Sequence, residues 1–125
     1  MRRKFLLASI AVTLLGCTKV DEGNPIEWKS LALVGQTLTL LDEKAVQIFP
    51  FAEGGIAAST IGIKDQALAA PIFYWKVQAN VLVISEAPDS NVYEELSAPS
   101  FKAGVIRATR KSGTRAQYTL AKSDA

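Results

Sequence analysis

The feature that most constrains the fold of this chain is an alternation of apolar and polar residues with a period of two. It recurs beyond Pro25 and is broken at short intervals by turn residues, with no sustained helical stripe. The alternating segments are rich in Val, Ile, Thr and aromatic residues, which favour strands. The sequence therefore predicts an all-β domain of about eight strands, arranged as a small antiparallel barrel or a sandwich.

The strand boundaries follow from where this alternation stops. Turn chemistry predicts the longest loops at residues 87–91 and 97–100. Residues 92–96 fit either a ninth strand or a helical turn. The eight predicted strands cover residues 27–33, 36–41, 45–51, 56–64, 72–78, 81–85, 101–110 and 114–121.

The first predicted hairpin turns at residues 42–44. A slip of one residue reverses the faces of a strand, so the register can be chosen by its apolar face. A three-residue loop places Leu38 opposite Ile48 and keeps Gln47 on the other face. A two-residue loop would put Gln47 on the apolar face, so we predict the three-residue loop.

The second predicted hairpin has Ala79 and Asn80 at its tip. Trp75 then faces Ile84, and the two strands share one apolar face. Tight hairpin turns need positive φ, so glycine would suit position 79 better than alanine.

The third predicted hairpin turns at residues 111–113. A two-residue loop would place Arg110 directly opposite Arg115, and like charges in that position repel. A three-residue loop removes the clash and puts Gly113 in the left-handed position that such loops need. Arg107 and Gln117 then share the outer face.

The chain has no histidine and a single cysteine, Cys17. This composition excludes a disulfide within the chain, a Cys/His zinc site, and Ser-His-Asp or Cys-His nucleophile systems. The adjacent acids Glu94 and Glu95 would point to opposite faces of a strand and would not converge. We therefore expect a protein that is not an enzyme and holds neither a metal nor a dissociable cofactor.

The first sixteen residues have the form of a secretory signal. Arg2, Arg3 and Lys4 precede an apolar run at residues 5–15, which is shorter than the roughly 20 residues of a membrane-spanning helix. Of the 14 basic residues in the chain, these three lie in the signal, which leaves 11 basic against 12 acidic residues. This balance lacks the basic excess typical of a nucleic-acid-binding domain.

The apolar run ends in Leu14-Leu15-Gly16-Cys17, which resembles the lipobox of bacterial lipoproteins. Leu15 is larger than the residue that the family usually has there. The resemblance implies cleavage between Gly16 and Cys17, a diacylglyceryl group on the Cys17 thiol, and an acyl chain such as palmitate on the new amine. Several acyl chains hold a protein stably on a membrane. Thr18, where an inner-membrane retention signal typically has Asp, favours the periplasmic face of the outer membrane.

These features predict three parts of the chain. Residues 1–16 form the signal peptide, residues 17–25 the lipidated cysteine with a flexible tether, and residues 26–125 the all-β domain.

Residues 75–84, Trp-Lys-Val-Gln-Ala-Asn-Val-Leu-Val-Ile, resemble the Trp-x-Val-x-Gly-Asn-x-Leu-x-Ile hairpin of small bacterial lipocalin-like proteins. Two positions depart from that family: Ala79 replaces the turn glycine, and Ile26 stands where the lipocalin opening has glycine before its tryptophan, here Trp28. The resemblance implies a calycin-type barrel that can hold a small apolar ligand.

Tyr74, Arg107 and Arg115 are the candidate binding surface. Tyr74 points away from its aromatic neighbours, and the two arginines lie on a basic C-terminal hairpin suited to an acidic partner or anionic lipid headgroups. We therefore expect a membrane-anchored periplasmic lipoprotein that acts as a binding module for an envelope protein or a small apolar ligand. An inhibitor or immunity lipoprotein is one version of this function. The alternative is a structural accessory lipoprotein of an envelope assembly or secretion complex.

Overall fold

The computed structural model describes residues 23–123, and the predicted signal segment, Cys17 and residues 18–22 lie outside this range. The described chain forms ten strands and one 3-10 helix, Trp28–Leu31, between β1 and β2. The strands are β1 Asn24–Pro25, β2 Gln36–Leu41, β3 Ala45–Ala52, β4 Ile56–Ala58, β5 Thr60–Ile63, β6 Ile72–Gln78, β7 Val81–Ala87, β8 Ser90–Lys102, β9 Val105–Thr109 and β10 Arg115–Lys122.

Eight of these strands close into an antiparallel barrel. They pair in chain order as β2, β3, β4, β6, β7, β8, β9 and β10, and β10 returns to pair with β2. Strand β5 continues β4 beyond Ser59 in the same register against β3, and β1 adds to β8. The all-β prediction is confirmed, and the barrel rather than the sandwich is the form the chain takes. This is also the architecture that the lipocalin-like resemblance implied.

Side chains from alternate positions fill the barrel, as in other small barrels. The rings of Phe73 and Tyr93 stack with centroids 4.7 Å apart, and Phe51 packs against Trp75 at 5.0 Å. The largest fully buried apolar side chains are Trp28, Tyr118, Phe49, Phe51, Leu38, Leu82, Ile84, Leu96 and Ile106.

The N-terminal segment crosses one end of the barrel, which we call the Trp28 end. The predicted strand at residues 27–33 is wrong, because the chain turns here into the 3-10 helix. The Trp28 indole N–H donates to the Leu96 carbonyl at 3.0 Å. Asn80 holds the segment from the β6–β7 turn: its Oδ1 accepts from the Trp28 N–H at 2.9 Å, and its Nδ2 donates to the Ile26 carbonyl at 3.1 Å. Burial of one indole thus overrides the strand pattern.

The predicted β6–β7 register is confirmed. Trp75 pairs with Ile84, and both turn residues have positive φ, 51° at Ala79 and 57° at Asn80. Asparagine tolerates this conformation, whereas alanine is strained in it.

Replacing Ala79 with glycine is expected to raise the free energy of unfolding by about 0.5 kcal/mol. Relief of the left-handed strain, roughly 1–2 kcal/mol, exceeds the added entropy of a glycine in the unfolded chain, roughly 0.5–1 kcal/mol. Ala121→Gly is the matched control, because Ala121 is exposed on β10 without positive φ. It should lower stability in the same urea titration, and a loss of stability in both variants would contradict the strain argument.

The predicted β9–β10 register is also confirmed. Arg115 lies opposite Thr109 rather than Arg110, and Arg107 shares the outer face with Gln117. Gly113 takes the left-handed conformation, with φ 97°.

The predicted β2–β3 register is wrong by one residue. Leu38 pairs with Phe49 rather than Ile48, and Gln47 is buried inside the barrel. The Asp42 carboxylate causes the difference, because its Oδ2 accepts from the backbone N–H groups of Lys44 at 2.8 Å and Ala45 at 2.6 Å. The same contacts hold the pKa of Asp42 below its usual value. This side-chain turn replaces the predicted three-residue loop.

The predicted strand and loop boundaries between residues 87 and 110 differ from those of the structure, where β8 occupies most of this range. Strand β8 runs for 13 residues through the predicted 97–100 loop, because a bulge between Ser97 and Ser100 accommodates Pro99. The predicted strand at 101–110 is broken by a turn at residues 103–104. The predicted long loop at 87–91 is a tight turn that leaves Ala87 paired with Ser90. Residues 92–96 are part of β8.

Candidate binding surfaces

One half of the barrel's outer wall carries no charged side chain among its described strand positions. This surface, which we call the charge-free face, spans residues 117–121 of β10, all of β2, β3, β4 and β5, and the first part of β6. Arg115, the first outward residue of β10, lies outside it. Charged residues typically make up a quarter or more of a globular surface, so the absence of charged side chains over this area is unusual. The outward positions are Gln117, Thr119, Ala121, Thr37, Thr39, Leu41, Val46, Ile48, Pro50, Ala52, Ile56, Ala58, Thr60, Gly62, Ile72 and Tyr74.

Apolar side chains are exposed on this face. Ile72 is 55% exposed, Leu41 44% and Ile56 40%. Ile56 pairs with Tyr74 across β4 and β6. Leu68 packs closely against Gly62: a Cβ atom at position 62 would lie 2.8 Å from the Leu68 side chain. Exposed apolar side chains with no charged residue among them are typical of an interaction surface.

Charged residues surround the charge-free face at the turns. Asp42, Glu43 and Lys44 lie in the β2–β3 turn, Lys64 follows β5, and Glu53 lies in the β3–β4 turn, all exposed. Charge depletion at the centre with a polar rim is the typical anatomy of a protein–protein interface.

The second feature is a polar cluster inside the barrel, towards the end opposite Trp28. A bulge in β8 produces it: Ile84 pairs with Glu94 and Ser85 with Val92, which leaves Tyr93 unpaired. As a result Tyr93 and Glu94, although adjacent, both contact the interior. Bulges commonly redirect side chains in this way.

Glu94 is 5% exposed and accepts three hydrogen bonds. The donors are the Lys111 N–H at 2.7 Å, the Glu95 N–H at 3.1 Å and the Arg110 Nε at 3.3 Å. The carboxylate therefore ties the β9–β10 turn to the bulge, a structural task that occupies both of its oxygens.

Two atoms of the polar cluster have no hydrogen-bond partner among the described residues, Gln47 Oε1 and Tyr118 Oη. Gln47 Nε2 donates to the Tyr93 hydroxyl at 3.4 Å. Burial raises the pKa of Tyr118 well above its usual value, so the phenol stays protonated at neutral pH. An acceptor and a hydroxyl left unused in the interior can hold a small hydrogen-bonding molecule such as water.

The structure does not bring the three predicted surface residues together. Arg107 and Arg115 share the outer face of β9 and β10, whereas Tyr74 lies on β6 within the charge-free face. The Arg115 guanidinium donates to the Ala98 carbonyl at 2.7 Å, to Thr109 Oγ1 at 3.2 Å and to Ser100 Oγ at 3.3 Å. These hydrogen bonds stabilise the bulge of β8 between Ser97 and Ser100.

An apolar cleft at the Trp28 end is small. It holds about 210 Å³ and is lined by Trp28, Lys29, Leu33, Trp75 and Val77. Ligand pockets usually hold roughly 300–1,000 Å³. Two larger clefts, of about 420 and 390 Å³, flank β1 on the outer surface.

Within residues 23–123, no group of three or more acidic or cysteine side chains is placed to hold a metal ion. The same stretch contains no helix long and apolar enough to cross a membrane. Comparison with protein-family models, curated proteins and solved structures finds no match to this chain.

Sequence reasoning missed both the charge-free face and the polar cluster. The sequence shows that these outward residues are uncharged. The predicted β2–β3 register, however, was wrong by one residue and placed Val46 and Ile48 in the interior. No local sequence pattern predicts the bulge at Tyr93.

Proposed function

We propose that this chain is a lipoprotein of the bacterial envelope, acylated on Cys17, whose barrel binds a protein partner through the charge-free face and does no catalysis. The single observation that supports this function is the width of that face: six strands contribute outward residues, and none of those positions is charged. A surface with an uncharged centre and a charged rim suits burial against another protein.

The filled barrel makes a protein partner the better candidate than a small apolar ligand. Side chains such as Phe49, Phe51 and Phe73 occupy the interior that a lipocalin-like ligand would need. The apolar cleft at the Trp28 end is smaller than a usual ligand pocket.

The partner surface can be tested by photocrosslinking in the native cell. A photoreactive residue at Ile72 or Ile56 should give a discrete protein adduct, because both are exposed on the charge-free face. The same residue at Glu95, exposed on the outer side of β8, is the matched control and should give none. Equal adducts from Glu95, or none from the charge-free face, would reject the proposed surface. An adduct with a multi-subunit envelope complex would favour the accessory role.

A charge on this face should weaken the adduct without unfolding the barrel. Ile72→Lys is expected to lower the yield from position 56 at least tenfold, because burying an unpaired charge costs more than the roughly 1.4 kcal/mol that corresponds to tenfold affinity. Val34→Lys is the control: Val34 is 48% exposed but lies outside the charge-free face. Both variants should unfold at the same temperature as the wild type.

The anchor is tested separately, by the mass of the native N-terminus. We expect a mature chain that starts at Cys17 and carries acyl chains, and a Cys17→Ser variant released from the membrane fraction. An unmodified sulfur, or an N-terminus at another residue, would remove the envelope placement.

A further inference from the structure

The tether joins the barrel at one particular face, formed by β8, β9 and β10. Strand β1 lies on β8, with Asn24 opposite Phe101 and Pro25 opposite Ser100. Only five residues, 18–22, separate Gly23 from Cys17. A fully extended chain of that length spans at most about 20 Å. This face therefore stays close to whatever surface holds Cys17.

This face is basic from residue 96 onwards, and Glu95, on the outer side of β8, is the one acidic residue exposed on its described strands. Residues 96–123 contain six basic residues and no acidic residue. Lys102 and Arg107 lie on its outer side, and Lys122 ends β10 at the Trp28 end. Arg115 adds a fourth charge, although its guanidinium is engaged by β8. Each basic side chain close to an anionic bilayer adds about 1 kcal/mol of attraction.

An exposed aromatic side chain stands where the tether enters. Phe101 is 44% exposed and pairs with the fully buried Ile106, so it lies on the inner side of the β8–β9 hairpin near the turn at residues 103–104, whereas Arg107 lies on the outer side. Bulky amphipathic and apolar groups beside basic residues suit the headgroup boundary of a bilayer, where apolar area is buried while charges contact phosphates.

We propose that the β8–β9 hairpin of this face, with Phe101 on its inner side and Arg107 on its outer side, docks on the anionic surface of the bilayer that holds Cys17. Phe101 enters the headgroup region, and Arg107 and Lys122 contact the lipid phosphates. The docked orientation rests on the proposed acylation of Cys17. A bilayer is favoured over an acidic protein as the partner of this face, because the short tether keeps the face close to the membrane.

The docked orientation has a consequence for partner binding. Strand β3 lies four positions from β8 around the eight-stranded barrel, so it is diametrically opposite. Docking through β8 and β9 therefore turns the charge-free face towards the surrounding compartment.

The test uses the full-length acylated protein reconstituted in vesicles. Its only cysteine is Cys17, whose thiol is blocked by the lipid, so a Phe101→Cys variant can be labelled selectively with an environment-sensitive fluorophore. In vesicles containing phosphatidylglycerol, we expect the label at 101 to be protected from acrylamide and quenched by lipid-borne nitroxide. The matched control is Ile72→Cys, which is 55% exposed on the charge-free face two strands from β8 and whose label should stay open to acrylamide. High salt, or vesicles of phosphatidylcholine alone, should reduce the protection at 101.

Charge variants separate the bilayer from other partners. Arg107→Gln and Lys122→Gln should each lower the docked population ratio about fivefold. Lys44→Gln, exposed in the β2–β3 turn, is the control and should change nothing. Labels at 101 and 72 with the same acrylamide access would overturn the proposal. A second result would also overturn it: the wild type shows no contact with lipid, and Arg107→Gln loses a crosslink to a protein. Protein that fails to float with the vesicles would instead show that the acylation, and hence the proposed function, is wrong.

Discussion

Replacement of Trp28 by alanine is expected to lower the free energy of unfolding by about 3–5 kcal/mol. The indole is fully buried in the core at one end of the barrel, beside Leu33. Its removal leaves a cavity between the N-terminal segment and the strands, and it strips the Leu96 carbonyl of its donor. Equilibrium urea unfolding followed by circular dichroism measures the loss, and Trp75 remains as a fluorescence probe.

Trp28→Phe separates the two contributions. It keeps an aromatic ring in the barrel end but lacks the indole N–H, so the loss from the missing hydrogen bond should be about 1 kcal/mol. A second control, Lys29→Ala, changes the exposed neighbour in the same 3-10 helix and should have an effect within about 0.5 kcal/mol. If Trp28→Ala cost no more than Lys29→Ala, the indole would not be closing the barrel.

The parts of the fold that the sequence predicts correctly are those that local chemistry decides. In the β9–β10 hairpin, the repulsion between Arg110 and Arg115 and the left-handed glycine at 113 select the same register. In the β6–β7 hairpin, apolar alternation alone is sufficient, even though Ala79 must adopt an unfavourable conformation. Agreement between turn and pattern made the β9–β10 register predictable, and the pattern alone made the β6–β7 register predictable.

The β2–β3 register was predicted wrongly, because the Asp42 turn works against the apolar alternation and the side chain that accommodates Gln47 lies elsewhere in the chain. Alternation keeps Gln47 out of the core, and that assumption selected the wrong loop. Gln47 is tolerated inside because Tyr93, 46 residues away, offers its hydroxyl. Only the bulge in β8 brings that hydroxyl inward, and a bulge has no reliable sequence signature.

The candidate surfaces show the same division. The basic character of the C-terminal hairpin can be read directly from residues 96–123. The position of Tyr74 far from those arginines depends on barrel closure, which pairs β10 with β2 and separates β6 from β9. The charge-free face needs both the closure and the correct β2–β3 register, so it emerges only from the three-dimensional arrangement.

Replacement of Glu94 by leucine is expected to lower the free energy of unfolding by about 2–3 kcal/mol. The carboxylate is the common acceptor for the backbone N–H groups of Glu95 and Lys111 and for the Arg110 side chain. Leucine fills the space but accepts nothing, so two backbone donors lose their partner. The guanidinium side chain of Arg110 is 27% exposed and can regain water, which keeps the loss below that of a fully buried broken ion pair.

Three further variants identify which contact of Glu94 matters. Glu94→Gln keeps an oxygen for the Lys111 N–H, 2.7 Å away, and should recover about half of the loss. Arg110→Gln removes only the charged partner, and Glu95→Gln changes an exposed neighbour with an effect within about 0.5 kcal/mol. If the backbone contacts dominate, the Lys111 amide should exchange with solvent faster in Glu94→Leu than in Arg110→Gln. Equal exchange in those two variants would assign the stabilisation to the ion pair, and the carboxylate would then not be the group that fastens the β9–β10 turn to the bulge.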